Sequence, residues 1–196
     1  MVDLEWVQNS ELHGPPFEPV GDPPPRLVLF GAVELSAALS RLARAMGWRS
    51  YVVDPRAQYL SAERFPDADE LICAWPSEAF ERLGGIDART AVAVLTHDPV
   101  LDDPALAIAL RAPAMFVGGM GSRRNQERRR ARLVQEGGLT EEEVGRLSGP
   151  IGLDLGARTA METAMSIFAE IVAVAHDRDG GRLRAGEGSI REARAS

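Results

Sequence analysis

Five short apolar runs, Leu27–Phe30, Ser50–Val53, Glu70–Cys73, Ala91–Leu95 and Ala114–Val117, recur along the chain, with helical patterns between them. They read as continuous runs, whereas a half-exposed antiparallel strand would alternate apolar with polar residues. Strands of that kind belong to a parallel sheet buried under helices on both faces. The helical patterns fall near Glu34–Met46, Ser77–Leu83, Asp103–Leu110, Ser122–Gln135, Glu141–Leu147 and Ala160–Ala175. Two carry a capping box, Thr140-x-x-Glu143 and Thr159-x-x-Glu162, in which the first side chain and the fourth satisfy each other's backbone N–H. The predicted fold is α/β: a doubly wound, Rossmann-like parallel sheet with helices on both faces.

At 196 residues the chain is long enough to bury one sizeable core. Residues 1–25 hold six prolines and predict an extended lead-in, with Trp6 and Phe17 as anchors on the domain surface. The Rossmann-like domain is expected over 26–176, and the Gly- and Arg-rich tail over 177–196 has little to bury, which predicts poor order. The last helix is apolar nearly all round, through Ala164, Met165, Ile167, Phe168, Ile171, Val172 and Val174, so it packs in the sheet or in a subunit interface. A homodimer is expected on that ground.

A net charge of −7 argues against nucleic acid as a partner, since such domains are basic. No apolar run is long enough to span a membrane, and no signal pattern opens the chain. With a single cysteine, Cys73, there is no internal disulfide, and the expected compartment is the cytoplasm. Cys73 reads as a small buried hydrophobe or as a reactive thiol.

In an open α/β sheet, ligands bind beyond the C-terminal strand ends, where the strand order reverses. Gly31-Ala32-Val33-Glu34-Leu35-Ser36 follows the first strand, but of a dinucleotide fingerprint it keeps only the first glycine. A tight turn explains it better than a pyrophosphate site, and Glu34 then complements the helix dipole. Asp54 stands about where a ribose-binding acid would, with Arg56 as a phosphate contact; the alternative is a turn capped by Asp54 beside Pro55. His97 and Asp98, with Asp102 and Asp103 behind them, predict a ligand-contacting loop set against the Gly31 turn. The spacing of His97 from these aspartates is too loose to define a metal site.

The densest signal is Gly118-Gly119-Met120-Gly121-Ser122, followed by six arginines between Arg123 and Arg132. A strand, a glycine turn and a helix start aim free backbone N–H groups at an anion. Arg123 and Arg124 oppose the helix dipole, which makes sense where something negative binds. The competing reading is a solvated arginine face, and Arg129 and Arg130 are expected to be solvated under either. Asp154 and Arg158 lie in the glycine-punctuated stretch Ser148–Arg158, as ligand contacts or as an internal pair that orders the loop.

In order, these segments resemble the C-terminal Rossmann domain of the XdhC/CoxI family. The matching text is Asp54-Pro55-Arg56 with Glu63–Asp69, Leu95-Thr96-His97-Asp98-Pro99 with Asp102, Gly118–Arg124, Gly149–Ala157 and Ser166–Ile171. The resemblance runs from about Arg26 to Ala175. It implies an accessory protein, a chaperone rather than an enzyme of the final complex. Such a protein binds the molybdenum cofactor, as molybdopterin or its dinucleotide form, supports its sulfuration and hands it to a xanthine dehydrogenase or CO dehydrogenase type apo-enzyme. It also implies a sulfurtransferase or a separate XdhC N-terminal-domain protein as a further partner. Together with the residue reading above, the candidate cofactor-binding residues are Gly31, Asp54, Arg56, His97, Asp98, Gly118, Gly119, Gly121, Ser122, Arg123, Arg124 and Asp154, although the turn at Gly31 departs from the family's usual Gly-Ala-Gly. The rival reading is a small NAD(P)-binding oxidoreductase or a nucleotide-sensing module. It meets a broken glycine turn and a chain without lysine, hence without a Tyr–Lys catalytic pair.

Overall fold

The computed structural model describes residues 21–185. Most of the proline-rich lead-in and the end of the tail lie outside the described residues. Six strands form one parallel sheet: β1 (Arg26–Phe30), β2 (Arg49–Val53), β3 (Glu70–Ile72), β4 (Thr90–Val94), β5 (Phe116–Gly119) and β6 (Leu147–Ser148). Their order is β3-β2-β1-β4-β5-β6, so the winding reverses between β1 and β4. Register pairs Phe30 with both Val53 and Val94, which brings the C-terminal ends of the three central strands level.

Helices α1 (Glu34–Ala45), α2 (Pro76–Arg82), α3 (Pro99–Arg111), α4 (Arg123–Gln135), α5 (Glu141–Gly145) and α6 (Ala160–Ala175) cover the sheet. Side chains on a strand alternate between faces, so each apolar run supplies two cores at once. Val28, Phe30, Val92 and Val94 meet α2, α3 and Leu133 of α4 on one face, where Phe30 and Phe80 pack at 5.2 Å. Leu27, Leu29, Ala91 and Ala93 meet α1 and α6 on the other. This double burial is the reason that the runs are continuous.

Several boundaries differ from the sequence expectation. β5 runs on through Gly118 and Gly119, so these two residues are strand and not turn. Added Cβ atoms would explain why: at Gly118 one would lie 2.5 Å from Ile151 Cδ1, and at Gly119 one would lie 2.7 Å from Arg129 Nη1. Helix α3 starts at Pro99, four residues before the expected Asp103, because Asp98 caps it by accepting from the Val100 N–H at 3.0 Å. The two-residue β6 has too little apolar pattern to be read from sequence. Both capping boxes form as expected. Helix α6 buries Ala164, Ile167, Phe168 and Ile171 against α1 and the sheet, with Phe168 edge-on to Trp48, while Met165 and Val174 are exposed. No helix among the described residues is long and apolar enough to cross a membrane.

Candidate functional site

The reversal of strand order brings the turn after β1 against the end of β4, and the residue that meets Gly31 there is Thr96. A Cβ on Gly31, whose φ is +112°, would stand 2.5 Å from Thr96 Cγ2. His97, expected against this turn, is exposed one residue further on. The Gly31 turn is spent on internal contacts. The Ser36 hydroxyl donates to the Gly31 carbonyl at 2.5 Å, and Arg64 donates to the Ala32 carbonyl at 3.0 Å. The fully buried Asp54 carboxylate accepts from the Ala32 N–H at 2.9 Å, from the Arg56 N–H at 3.0 Å and from the Arg56 guanidinium at 2.9 and 3.0 Å. Burial alone would raise its pKa, but the Arg56 side chain and the Ala32 and Arg56 N–H groups hold it below the ordinary aspartate value.

Asp54 is therefore the turn cap of the two sequence alternatives, and it closes the first turn over itself. Arg56, paired with Asp54, also lies over the Tyr59 ring at 4.8 Å. A pyrophosphate at Gly31 would find the Ala32 N–H taken and the exposed Glu34 beside it. These residues do not fit NAD(P). Cys73, read as a buried hydrophobe or a reactive thiol, is exposed at the end of β3, with its sulfur 3.6 Å from the Pro55 carbonyl oxygen.

The residues of the expected anion site stand together at the start of α4. Ser122 caps the helix by accepting from the Asn125 N–H at 3.3 Å, while Arg123 and Arg124 are exposed. Gly121, at φ +139°, turns the chain into the helix, a conformation that costs a side chain heavily. Together these residues line an open cavity of ≈ 580 Å³ whose other wall is Pro150, Gly152 and Asp154. Asp154 has no ion pair to Arg158 among the described residues. Arg158 instead gives its backbone N–H to Glu162 at 2.7 Å.

The wall is held from behind. Glu170 on α6 accepts from the Ser148 hydroxyl and, at 2.6 Å, from the Gly152 N–H. Ser166 donates to the Leu153 carbonyl at 2.5 Å, and the Ile151 N–H bonds the Gly119 carbonyl at 3.2 Å. The stretch that sequence read as functional or mobile is pinned by side chains of the helix that follows it. Glu170 belongs to the family-like segment Ser166–Ile171, yet nothing in its local sequence announces this contact.

The arginine run divides by function. Arg129, expected in solvent, is only 5% exposed. Its guanidinium donates to Asp102 at 2.8 Å, to Gln126 Oε1 at 2.9 Å and to the Met120 carbonyl at 3.0 Å. Asp102, 1% exposed, also accepts from the Thr96 hydroxyl; burial pushes its pKa up, against the pull of Thr96 and Arg129. Gln126 completes the chain by donating to the Gly119 carbonyl at 2.8 Å. This buried network ties the loop after β4, α3 and α4 to the segment Gly119–Met120. Arg130, also expected in solvent, donates to the Val144 and Leu147 carbonyls at 2.9 and 2.6 Å, and Arg132 forks onto Asp103 at 2.6 and 3.0 Å. The solvated-face reading fails for these three, because helix α4 crosses carboxylates and carbonyl ends that sequence distance conceals.

Of the twelve residues singled out, the structure gathers Gly121, Ser122, Arg123, Arg124 and Asp154 around one cavity. Gly118 and Gly119 pack beneath it, and Gly31, Asp54 and Arg56 form a separate closed turn. Asp98 caps α3, and His97 lines a second cavity with Asn125, Arg128, Arg129 and Arg132 of α4.

Known proteins share this sequence and fold. The XdhC Rossmann domain matches residues 27–171. The uncharacterized protein YqeB of Escherichia coli K12 is 34% identical over 160 residues, which are 81% of this chain and 29% of that protein. A Bacillus subtilis 168 protein described as a probable xanthine dehydrogenase subunit is 31% identical over 178 residues, 86% of this chain and 51% of that one. The molybdenum cofactor insertion chaperone PaoD of E. coli K12 is 30% identical over 149 residues, 76% and 40% of the respective chains. The chain thus spans between about a third and about half the length of these relatives. A crystal structure described as a xanthine dehydrogenase from Bacillus halodurans superposes with a TM-score of 0.67 at 28% identity, over 79% of this chain and 44% of that one. With its parallel sheet and a match that runs from β1 into α6, the chain belongs to the XdhC Rossmann-domain family.

Proposed function

We propose that this protein is an accessory protein of a molybdenum hydroxylase, binding the molybdenum cofactor and helping to deliver it to the apo-enzyme. The observation that carries the reading is the α4 start: a side-chain-capped helix N-terminus with two exposed arginines facing an open cavity. Its family, and similarity to a protein described as a molybdenum cofactor insertion chaperone, supply the class of ligand.

The residues present fit an anionic cofactor. Of the first backbone N–H groups of α4, those of Arg123 and Arg124 bond no acceptor among the described residues, and the guanidiniums add full charge beside them. A volume of ≈ 580 Å³ lies within the range of about 300–1,000 Å³ typical of small-molecule sites. Ser122, Arg123 and Arg124 would hold the phosphate, and Asp154 on the facing wall offers an acceptor for ring N–H groups. When bound, the cofactor supplies the metal and dithiolene chemistry of the hydroxylase. Ser122, Arg123 and Arg124 of this chain would orient it through its phosphate. The hydroxylase apo-enzyme is the proposed partner, with a sulfurtransferase or a separate N-terminal-domain protein joining where sulfuration is needed.

The test is purification of the full chain from a molybdopterin-producing host, followed by acid–iodine oxidation and pterin fluorescence. Arg123→Gln/Arg124→Gln is expected to lower bound pterin affinity at least about tenfold, from the loss of two charge-assisted contacts discounted for solvent screening. Its melting temperature should be unchanged or higher, because two charges opposed to the helix dipole are removed. Arg82→Gln, at an exposed pair on α2, is the control. Absence of any pterin, with normal hydroxylase activity in a deletion strain, would refute the reading.

A further inference from the structure

We infer a second binding site along helix α4, lined by residues other than those of the first and built for a small oxyanion of the phosphate-monoester type. A cavity of ≈ 190 Å³ lies there, lined by His97, Pro99, Asp102, Asn125, Arg128, Arg129 and Arg132. It shares no lining residue with the cavity at Arg123 and Arg124.

The first argument is the balance of charge. Asp102 neutralises Arg129, and Asp103 neutralises Arg132 through a bidentate fork. Among the described residues Arg128 has no carboxylate partner, so its guanidinium is the one of the three lining arginines left without an ion pair. The second is an unmet donor. Nε of the buried Arg129 has no acceptor, although the other guanidinium nitrogens of that residue are bonded. Buried N–H groups are rarely left so, and this one belongs to a side chain that lines the cavity.

The third argument is the set of exposed donors around it. The His97 imidazole, the Asn125 amide and the Arg128 guanidinium carry no side-chain hydrogen bond among the described residues. Several donors beside an unpaired guanidinium suit the oxygens of a phosphate. The size points the same way, since ≈ 190 Å³ falls below the range of about 300 Å³ and upward that drug-sized ligands occupy. Asp102, although it lines the cavity, is engaged by Thr96 and Arg129, so its charge is already spent.

The site does not depend on the proposed cofactor. Inorganic phosphate serves as probe, titrated into the full chain at about pH 7 with ionic strength held constant by sodium chloride. The His97 ring C–H resonance, assigned with His97→Gln, is followed by NMR. The expected result is a saturable shift at millimolar phosphate. Arg128→Gln should weaken binding by about tenfold, the effect of losing one partly screened charge-assisted contact. Arg123→Gln/Arg124→Gln should leave the His97 titration unchanged, even where it abolishes pterin binding. A linear, non-saturating shift would overturn the proposal. So would wild-type behaviour of Arg128→Gln, or equal losses in both variants, which would mean diffuse charge alone.

Discussion

Removal of the Asp102 carboxylate should be among the most damaging single changes in this protein that touch no apolar core residue. Asp102→Ala leaves the Arg129 guanidinium, only 5% exposed, without its counter-ion, and deprives the Thr96 hydroxyl of its acceptor. Breaking a buried pair by deleting one partner costs about 3–5 kcal/mol, because the stranded charge has neither water nor partner. For a domain of this size each kcal/mol shifts the melting temperature by about 2–4 °C, so the expected fall is roughly 6–20 °C. The exposed pair Glu78–Arg82 on α2 is the internal comparison, and Glu78→Ala should cost no more than about 0.5 kcal/mol. Urea unfolding of wild type, Asp102→Ala, Arg129→Met and the double variant at about pH 7 measures the coupling. The double variant should lose less than the sum of the single losses by at least about 1 kcal/mol, since neither charge is then stranded. A loss below about 1 kcal/mol for Asp102→Ala, or strictly additive losses, would refute the claim that this network is buried and coupled.

Further outcomes are expected at three other positions. Gly118→Ala drives a Cβ to within 2.5 Å of Ile151 Cδ1 and 2.7 Å of Phe116 Cε1, and overpacking of this kind costs about 1–3 kcal/mol in a urea midpoint at unchanged slope. Asp54 titrates below its ordinary value, so its contribution is present above the unfolded aspartate pKa of about 3.9 and is lost as pH falls through the lower folded value. Asp54→Asn should therefore be less stable than wild type at neutral pH, with the gap closing below about pH 4; a gap independent of pH would count against the Arg56 pairing. Glu170→Ala frees the Gly152 N–H and the Ser148 hydroxyl. Amide exchange at Gly152 should rise by about tenfold while β1 and β4 keep their protection, and unchanged exchange would show that the wall is held by other contacts.

Much of the fold is legible from the chain because its signals are local. A continuous apolar run such as Leu27–Phe30 carries its own burial on two faces, and Thr159 with Glu162 closes a capping box within one turn. The same holds for the glycine turn and Ser122, whose cap, turn and exposed arginines all lie within a few residues. What sequence could not decide is which charges are already paired. Arg123 and Arg129 are the same residue type in one run, yet one faces a cavity and the other is buried against Asp102, 27 positions away in sequence. Asp54 looks like a ribose ligand by its position after β2, but the register of β1 beside β2 turns its carboxylate onto the Ala32 N–H. His97 and Arg123 share the end of the sheet but line two different cavities. Periodicity and caps are properties of neighbours along the chain, whereas desolvation and charge pairing depend on neighbours in space, which only the crossing of α3 and α4 over the sheet brings together.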